Sequence, residues 1–218
     1  MAEPVKRRRY DASNRQRQAR DTRRRIVDAG ARLFVRDGYA DTPIAAIAKE
    51  AGVAVPTVYA TLRSKANILR AVVELTVRGD DDTAPLASRA AWQEIEREHD
   101  PHQRLALFAR LHRQICDRDA AVFAQLEAAA GTDKDATELL AEFDRRRHET
   151  QARVTRGLHS RGQLRSDLTE QTATDSLWTL ASERTYLALV RDRQWSSDDY
   201  ERWLIEQLEA ALLPHDPR

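Results

Sequence analysis

The segment from Thr42 to Lys65, TPIAAIAKEAGVAVPTVYATLRSK, gathers hydroxyl, phenol and ammonium groups at helical spacing. Such groups make contacts rather than bonds. Val55 and Pro56 offer apolar surface of the kind that touches thymine methyls. Thr57 and Thr61 offer hydroxyls to a phosphate or a base edge, and Tyr59 offers a phenol at phosphate reach. Lys65 puts a cation near the start of the following helix, where free backbone N–H groups also attract phosphate. Thr42, at the head of the segment, is a further candidate contact. Bond-breaking chemistry is missing by comparison: there is no His-Glu-x-x-His, no G-x-S-x-G and no P-loop. The six histidines are scattered, and Asp100-Pro101 interrupts the helix that would align His99 with His102. The single cysteine, Cys116, excludes an intrachain disulfide and a Cys-rich zinc site. It fits a reducing compartment, and its apolar helical register reads as inert core. No catalytic set, metal site or cofactor is expected.

Two short helices must position the contact groups. Thr42 can cap the first and Pro43 opens it, with Ile44, Ile47, Ala48 and Ala51 facing inward. Gly52 supplies the left-handed backbone of a tight turn, and the small Ala48 and Ala51 let the helices approach. The second helix starts near Pro56 and buries Val58 and Leu62. This is a helix-turn-helix pattern whose second helix would enter a major groove. An ordinary αα-hairpin with solvated polar residues shares the helix–Gly–helix outline. The close spacing, the small-residue packing and the charge favour the first reading. Residues 1–65 hold 15 Lys and Arg against 7 Asp and Glu, whereas the remaining 153 residues hold 21 against 28. Net charge is +1, so a basic N-terminal module sits on an acidic body, the asymmetry of a polyanion binder. Arg7, Arg8 and Arg9 head a basic arm that could reach a minor groove or line phosphates, the plainer alternative being a solvated tail.

The rest of the chain points to an all-α fold. Period-2 alternation and hairpin turns are lacking, while apolar residues recur at three- and four-residue spacing. With 218 residues, 41% hydrophobic, the chain can bury a substantial core. A first helix is predicted from Ala12 or Arg20 to Asp37, burying Ile26, Ala29, Leu33 and Phe34 and stopping at Gly38. Ser64 can cap a longer helix bearing Ile68, Leu69, Val72 and Val73 that ends at Gly79. Six more helices are expected at about 86–98, 102–117, 119–130, 134–161, 168–193 and 198–213. No apolar run approaches the roughly 20 residues of a membrane span, and the basic N-terminus lacks the apolar stretch of a signal peptide.

AGVAVPTVYATLRSK resembles the DNA-binding signature of the TetR family of bacterial transcriptional regulators. Ala51, Gly52, Val53, Thr57, Tyr59, Ser64 and Lys65 match it, as does the upstream pattern of Thr42, Ile44, Ile47 and Ala48 after a helix ending in Phe34 and Gly38-Tyr39. The specific match spans about residues 20–70. Two positions depart: Ala54 stands where a capping Ser is common, and Leu62 where Phe is usual. Ala45, Ala46 and Ala60 occupy faces that often carry base-reading side chains, so readout should lean on phosphate and methyl contacts. The resemblance implies a flexible basic arm over 1–19, a helix-turn-helix DNA-binding domain over 20–66 and a helical effector-binding and dimerisation domain over 67–218. It further implies a cytoplasmic, nucleoid-associated homodimer on a near-palindromic DNA operator, most simply a repressor released by a small-molecule effector. It implies no enzyme and no membrane partner. A helical ligand-binding or protein-interaction module without specific DNA binding is the alternative.

In the C-terminal half, Trp92, Phe108, His112, Phe123, Phe143, Arg147 and Trp178 are candidate lining of a ligand cavity, with His112 and Arg147 as polar anchors. Residue by residue, plain core is the competing reading. Val154, Leu158, Leu177, Leu180, Ala181 and Ala188 form faces that could pair across a two-fold axis, or pack only within their own subunit.

Overall fold

The computed structural model describes the backbone of residues 5–79 and 86–214, and the side chains of 14–79, 86 and 88–214. Among these residues the fold is all helical: α1 (Val5–Asp37), α2 (Ile44–Glu50), α3 (Val55–Leu62), α4 (Lys65–Arg78), α5 (Ala90–Arg97), α6 (Pro101–Ala130), α7 (Lys134–His159), α8 (Glu170–Leu180), α9 (Glu183–Tyr186) and α10 (Ser197–Leu212). A 3-10 turn at Leu86–Ser88 precedes α5, and a π-helical turn at Leu187–Asp192 follows α9. The chain divides into two compact units: Met1–Glu74 with Ala124–Thr137, and Leu75–Phe123 with Glu138–Arg218.

The core of the first unit is the one the helical periodicity predicts. Ile26, Ala29, Leu33 and Phe34 of α1 pack with Ile47 and Ala48 of α2, Val58 and Leu62 of α3, and Ile68, Leu69 and Val72 of α4, all buried. α1 and α4 approach so closely at Gly30 that a Cβ there would stand 2.7 Å from Ile68 Cγ2. α1 starts at Val5, earlier than the expected Ala12–Arg20, and stops where predicted, with Gly38 at φ +87°. Thr42 does not cap α2. The N-cap is Pro43, one residue on, and the Thr42 hydroxyl donates instead to the Gly38 and Leu33 carbonyls at 2.7 and 3.3 Å. The Gly38 carbonyl lies just past the end of α1, where no intrahelical donor remains.

The second unit departs from the predicted breaks in two places. The segments expected at 102–117 and 119–130 are one helix, α6, because Cys116-Asp117-Arg118-Asp119 contains no helix breaker and an Arg113–Asp117 pair at 2.9 Å spans the join. The helix expected at 168–193 is broken at Ala181-Ser182. Ser182 adopts extended backbone, and its hydroxyl accepts from Thr185 N–H at 3.1 Å, which starts α9 anew. The carbonyls freed at the end of α8 do not go unpaired. Arg147 Nη1 donates to Trp178 O and Ala181 O at 2.9 and 2.8 Å, and Gln151 Nε2 donates to Ala181 O at 3.0 Å. The core here holds Ile95, Leu105, Phe123, Leu158, Leu177, Tyr200, Leu204 and Leu208. No helix among the described residues is long and apolar enough to cross a membrane.

Candidate nucleic-acid interface

The turn between α2 and α3 is built by backbone hydrogen bonds around one glycine. Gly52 has φ +64°; its N–H donates to Lys49 O at 3.1 Å, and Val53 N–H donates to Ala48 O at 3.0 Å. This pair is the Schellman arrangement, which consumes the last carbonyls of α2 and requires left-handed backbone at the glycine. Arg25 Nη1 adds a donor to Ala51 O at 3.3 Å. Ala54 is the N-cap of α3 and provides no side-chain cap; Pro56 stands in the first turn with its φ pre-set. Arg63, at φ +65°, ends the helix. Ser64 then caps α4, accepting from Asn67 N–H at 3.1 Å.

α3 is thereby pinned by one face and free on the other. Val58 and Leu62 are buried, while Val55, Pro56, Tyr59 and Ala60 are exposed, Tyr59 at 49%. Thr57 is half-buried at the rim. Thr61 donates back to Thr57 O at 2.7 Å, which leaves its oxygen lone pairs for an incoming donor. Thr42 faces inward and is buried, so the structure separates it from the exposed set. Lys65 is half-buried and bridges elements. Its ammonium donates to Tyr39 O and Ala40 O at 2.9 and 3.1 Å and lies 4.5 Å over the Tyr39 ring. Tyr39 in turn donates to Asp133 Oδ2 at 3.0 Å within the same unit. Beside Thr61 an open cleft is lined by Arg23, Arg63, Asn67, Arg70 and the acidic Glu74. Sequence reasoning misses Arg63 and Arg70; the basic character of residues 1–65 is a signal for Arg63, and none points to Arg70. Arg7, Arg8 and Arg9 have side chains outside those described.

The aromatic candidates of the second unit come together. Trp92 meets Phe108 edge-on with centroids 6.3 Å apart, Phe108 stacks on His112 at 6.1 Å, and Phe123 lies 5.5 Å from Phe143. The Arg147 guanidinium lies 4.5 Å over the Trp178 ring. Sequence spacing missed Tyr200, whose hydroxyl is 3.1 Å from His112 Nε2, and the buried carboxyls of Asp119 and Glu183. Burial drives the His112 pKa down to about 3, so the imidazole is neutral at pH 7. Desolvation likewise pushes the Asp119 and Glu183 carboxyls up. Of the candidate pairing residues, Val154, Leu158, Leu177 and Ala181 are buried within their own subunit, Leu180 is half-buried and Ala188 is exposed.

Residues 26–72 match the model of the bacterial regulatory proteins, tetR family, the N-terminal domain of that family. α2, the turn and α3 lie wholly inside the match, so this part of the first unit is similar to the N-terminal domain of that family. The chain as a whole has the fold of such transcriptional regulators. A protein of Saccharomonospora viridis described as a transcriptional regulator, in complex with choline, is 23% identical with a TM-score of 0.68, over 88% of this chain and 98% of that one. A Mesorhizobium loti protein described as a TetR-family transcriptional regulator is 20% identical with a TM-score of 0.68, over 88% and 95%. The transcriptional regulator FadR of Bacillus subtilis, in complex with stearoyl-CoA, is 18% identical with a TM-score of 0.69, over 84% and 96%. No curated protein matches the sequence.

Proposed function

We propose that this protein is a homodimeric transcriptional repressor that binds a near-palindromic DNA operator through α3 and leaves it when a small molecule occupies the helical second unit. The observation that carries the reading is the exposed face of α3. A short helix held by two buried apolar residues presents Val55, Pro56, Thr57, Tyr59 and Thr61 outward inside a TetR-family DNA-binding domain. A helix presented so fits a major groove, with Lys65 and the basic arm on phosphates. Arg63 extends the cationic edge. The matched family is one of regulatory proteins, and the chain acts as a binder, not an enzyme, in the cytoplasm and on the nucleoid.

The second unit supports the effector half of the reading through its aromatic interior. Structurally similar proteins have been solved with choline and with stearoyl-CoA, so this fold admits chemically different ligands. Val154, Leu158, Leu177 and Ala181 serve the subunit's own core, which leaves Leu180 and Ala188 for a partner subunit. By linkage, operator and effector weaken each other's binding by the same factor. Footprinting of the purified protein on its own upstream DNA tests this. The expected result is two protected half-sites about one helical turn, or a multiple of it, apart. A single unpaired half-site, protected by a monomer, would contradict it.

A further inference from the structure

We propose that His112, Cys116 and Asp119 of α6, with Glu183 of α9, form a binding site for a divalent transition-metal ion of the zinc class. The three α6 residues recur at helical positions i, i+4 and i+7 and therefore share one face. The break at Ala181-Ser182 turns Glu183 into the first turn of α9. As a result, donor atoms of Cys116, Asp119 and Glu183 all lie within 4.8 Å of one another, all three residues being buried. His112 Nε2 is 3.4 Å from Cys116 Sγ. Every member of the set belongs to the second unit.

The hydrogen-bond inventory points to a ligand. Asp119 is 2% exposed, and neither of its carboxyl oxygens has a hydrogen-bond partner among the described residues; Glu183 Oε2 has none either, though it faces the Arg147 guanidinium at 3.5 Å. Buried carboxyls are ordinarily paired, hydrogen-bonded or coordinated. Here both carboxyls lie beside the Cys116 thiol, which in turn neighbours the His112 imidazole, and sulfur and nitrogen donors select zinc-like ions over magnesium or calcium. Charge also balances. A thiolate and two carboxylates against a divalent ion leave one negative charge, and the Arg147 guanidinium stands 3.5 Å from Glu183 Oε2 to meet it. The Ser182 backbone hydrogen-bonds the His112 ring, as an outer-shell partner does, and the Tyr200 hydroxyl, 3.1 Å from Nε2, must release that nitrogen for it to ligate. Sequence spacing gave no hint of this, because Glu183 lies 64 positions beyond Asp119.

The test is a Co2+ titration of untagged, full-length protein in a non-thiol reductant, repeated on protein refolded in Co2+ so that burial does not limit entry. The proposal requires one Co2+ per chain with a sulfur-to-cobalt charge-transfer band, displaced by Zn2+. Cys116→Ser should abolish the band, and Asp119→Asn should weaken binding at least about tenfold. Absence of the band from folded wild type by both routes would overturn the proposal and leave a carboxyl pair sharing a proton. Binding without the band, or a band unchanged in Cys116→Ser, would place the ion elsewhere and overturn it equally. Should Asp119→Asn fail to fold, the near-isosteric Cys116→Ser decides.

Discussion

The two units treat polar groups in opposite ways. In the first, Thr57, Tyr59 and Thr61 are turned toward solvent on a helix whose packing needs only Val58 and Leu62. In the second, Arg104, His112, Asp119, Gln151 and Glu183 are turned inward and buried. An outward polar face costs little stability and is available to a partner. An inward one is tolerated only where partners are supplied, and it carries much of the local specificity of packing. The contrast predicts that changes on α3 alter DNA affinity with little effect on stability, and that changes in the second unit's interior do the reverse.

The largest effect should come from Gly157→Ala. A Cβ at this position would stand 1.9 Å from Arg104 Nη1, and Arg104 is buried with its guanidinium donating to Glu96 O and Glu98 O. Overpacking against a buried charge should remove about 3 kcal/mol of stability in urea unfolding. Operator affinity of the folded fraction should not change. An unaltered midpoint would mean that the interior is looser than described.

Lys65→Ala should act on both sides of the contrast. Loss of the bonds to Tyr39 O and Ala40 O should cost about 1 kcal/mol of stability. DNA binding should weaken on all sequences alike, with the salt slope falling by about one. A change of sequence preference at constant slope would show that Lys65 reads bases.

Asp133→Ala should cost a similar amount without touching DNA. Asp133 accepts from Ala136 N–H at 3.1 Å, capping α7, and from Tyr39 O–H at 3.0 Å. Removing such a cap costs about 1 kcal/mol. The Ala136 N–H, with the Tyr39 hydroxyl after it, holds this carboxyl below the usual range. Its native pKa is depressed, so its contribution is present above the unfolded value of about 4 and is lost as pH falls through the native value. The wild-type advantage over Asp133→Ala should therefore shrink in acid, as read by thermal melts across pH.

Tyr59→Phe should have the smallest effect on folding, within about 0.5 kcal/mol, since the ring is half exposed and its hydroxyl bonds to nothing in the described chain. It should still weaken DNA binding several-fold on every sequence. A destabilised Tyr59→Phe would break the contrast from the other side.

The same difference explains what the sequence could reveal. A surface that meets a partner is written locally: Gly52, Pro56, Val58 and Tyr59 fix turn, helix start, buried face and exposed face within eight residues. The cores of α1 to α4 were likewise legible from their three- and four-residue spacing. Thr42 was misplaced by one residue because a Thr-Pro pair offers two adjacent starts for a helix. The break at Ala181-Ser182 was illegible because what stabilises it is remote: Arg147 and Gln151, about thirty residues upstream, satisfy the freed carbonyls. The His112–Cys116–Asp119–Glu183 cluster was hidden for the same reason, being assembled by that break.

The central claim is that α3 reads DNA in a sequence-specific way. Its most direct test is the affinity of the purified protein for its own upstream intergenic DNA and for a scrambled duplex, across a salt series. The account predicts tight binding to the upstream DNA, a steep salt slope and a preference of at least about a thousandfold over the scrambled duplex. Equal, weak and salt-sensitive binding to both duplexes would contradict it.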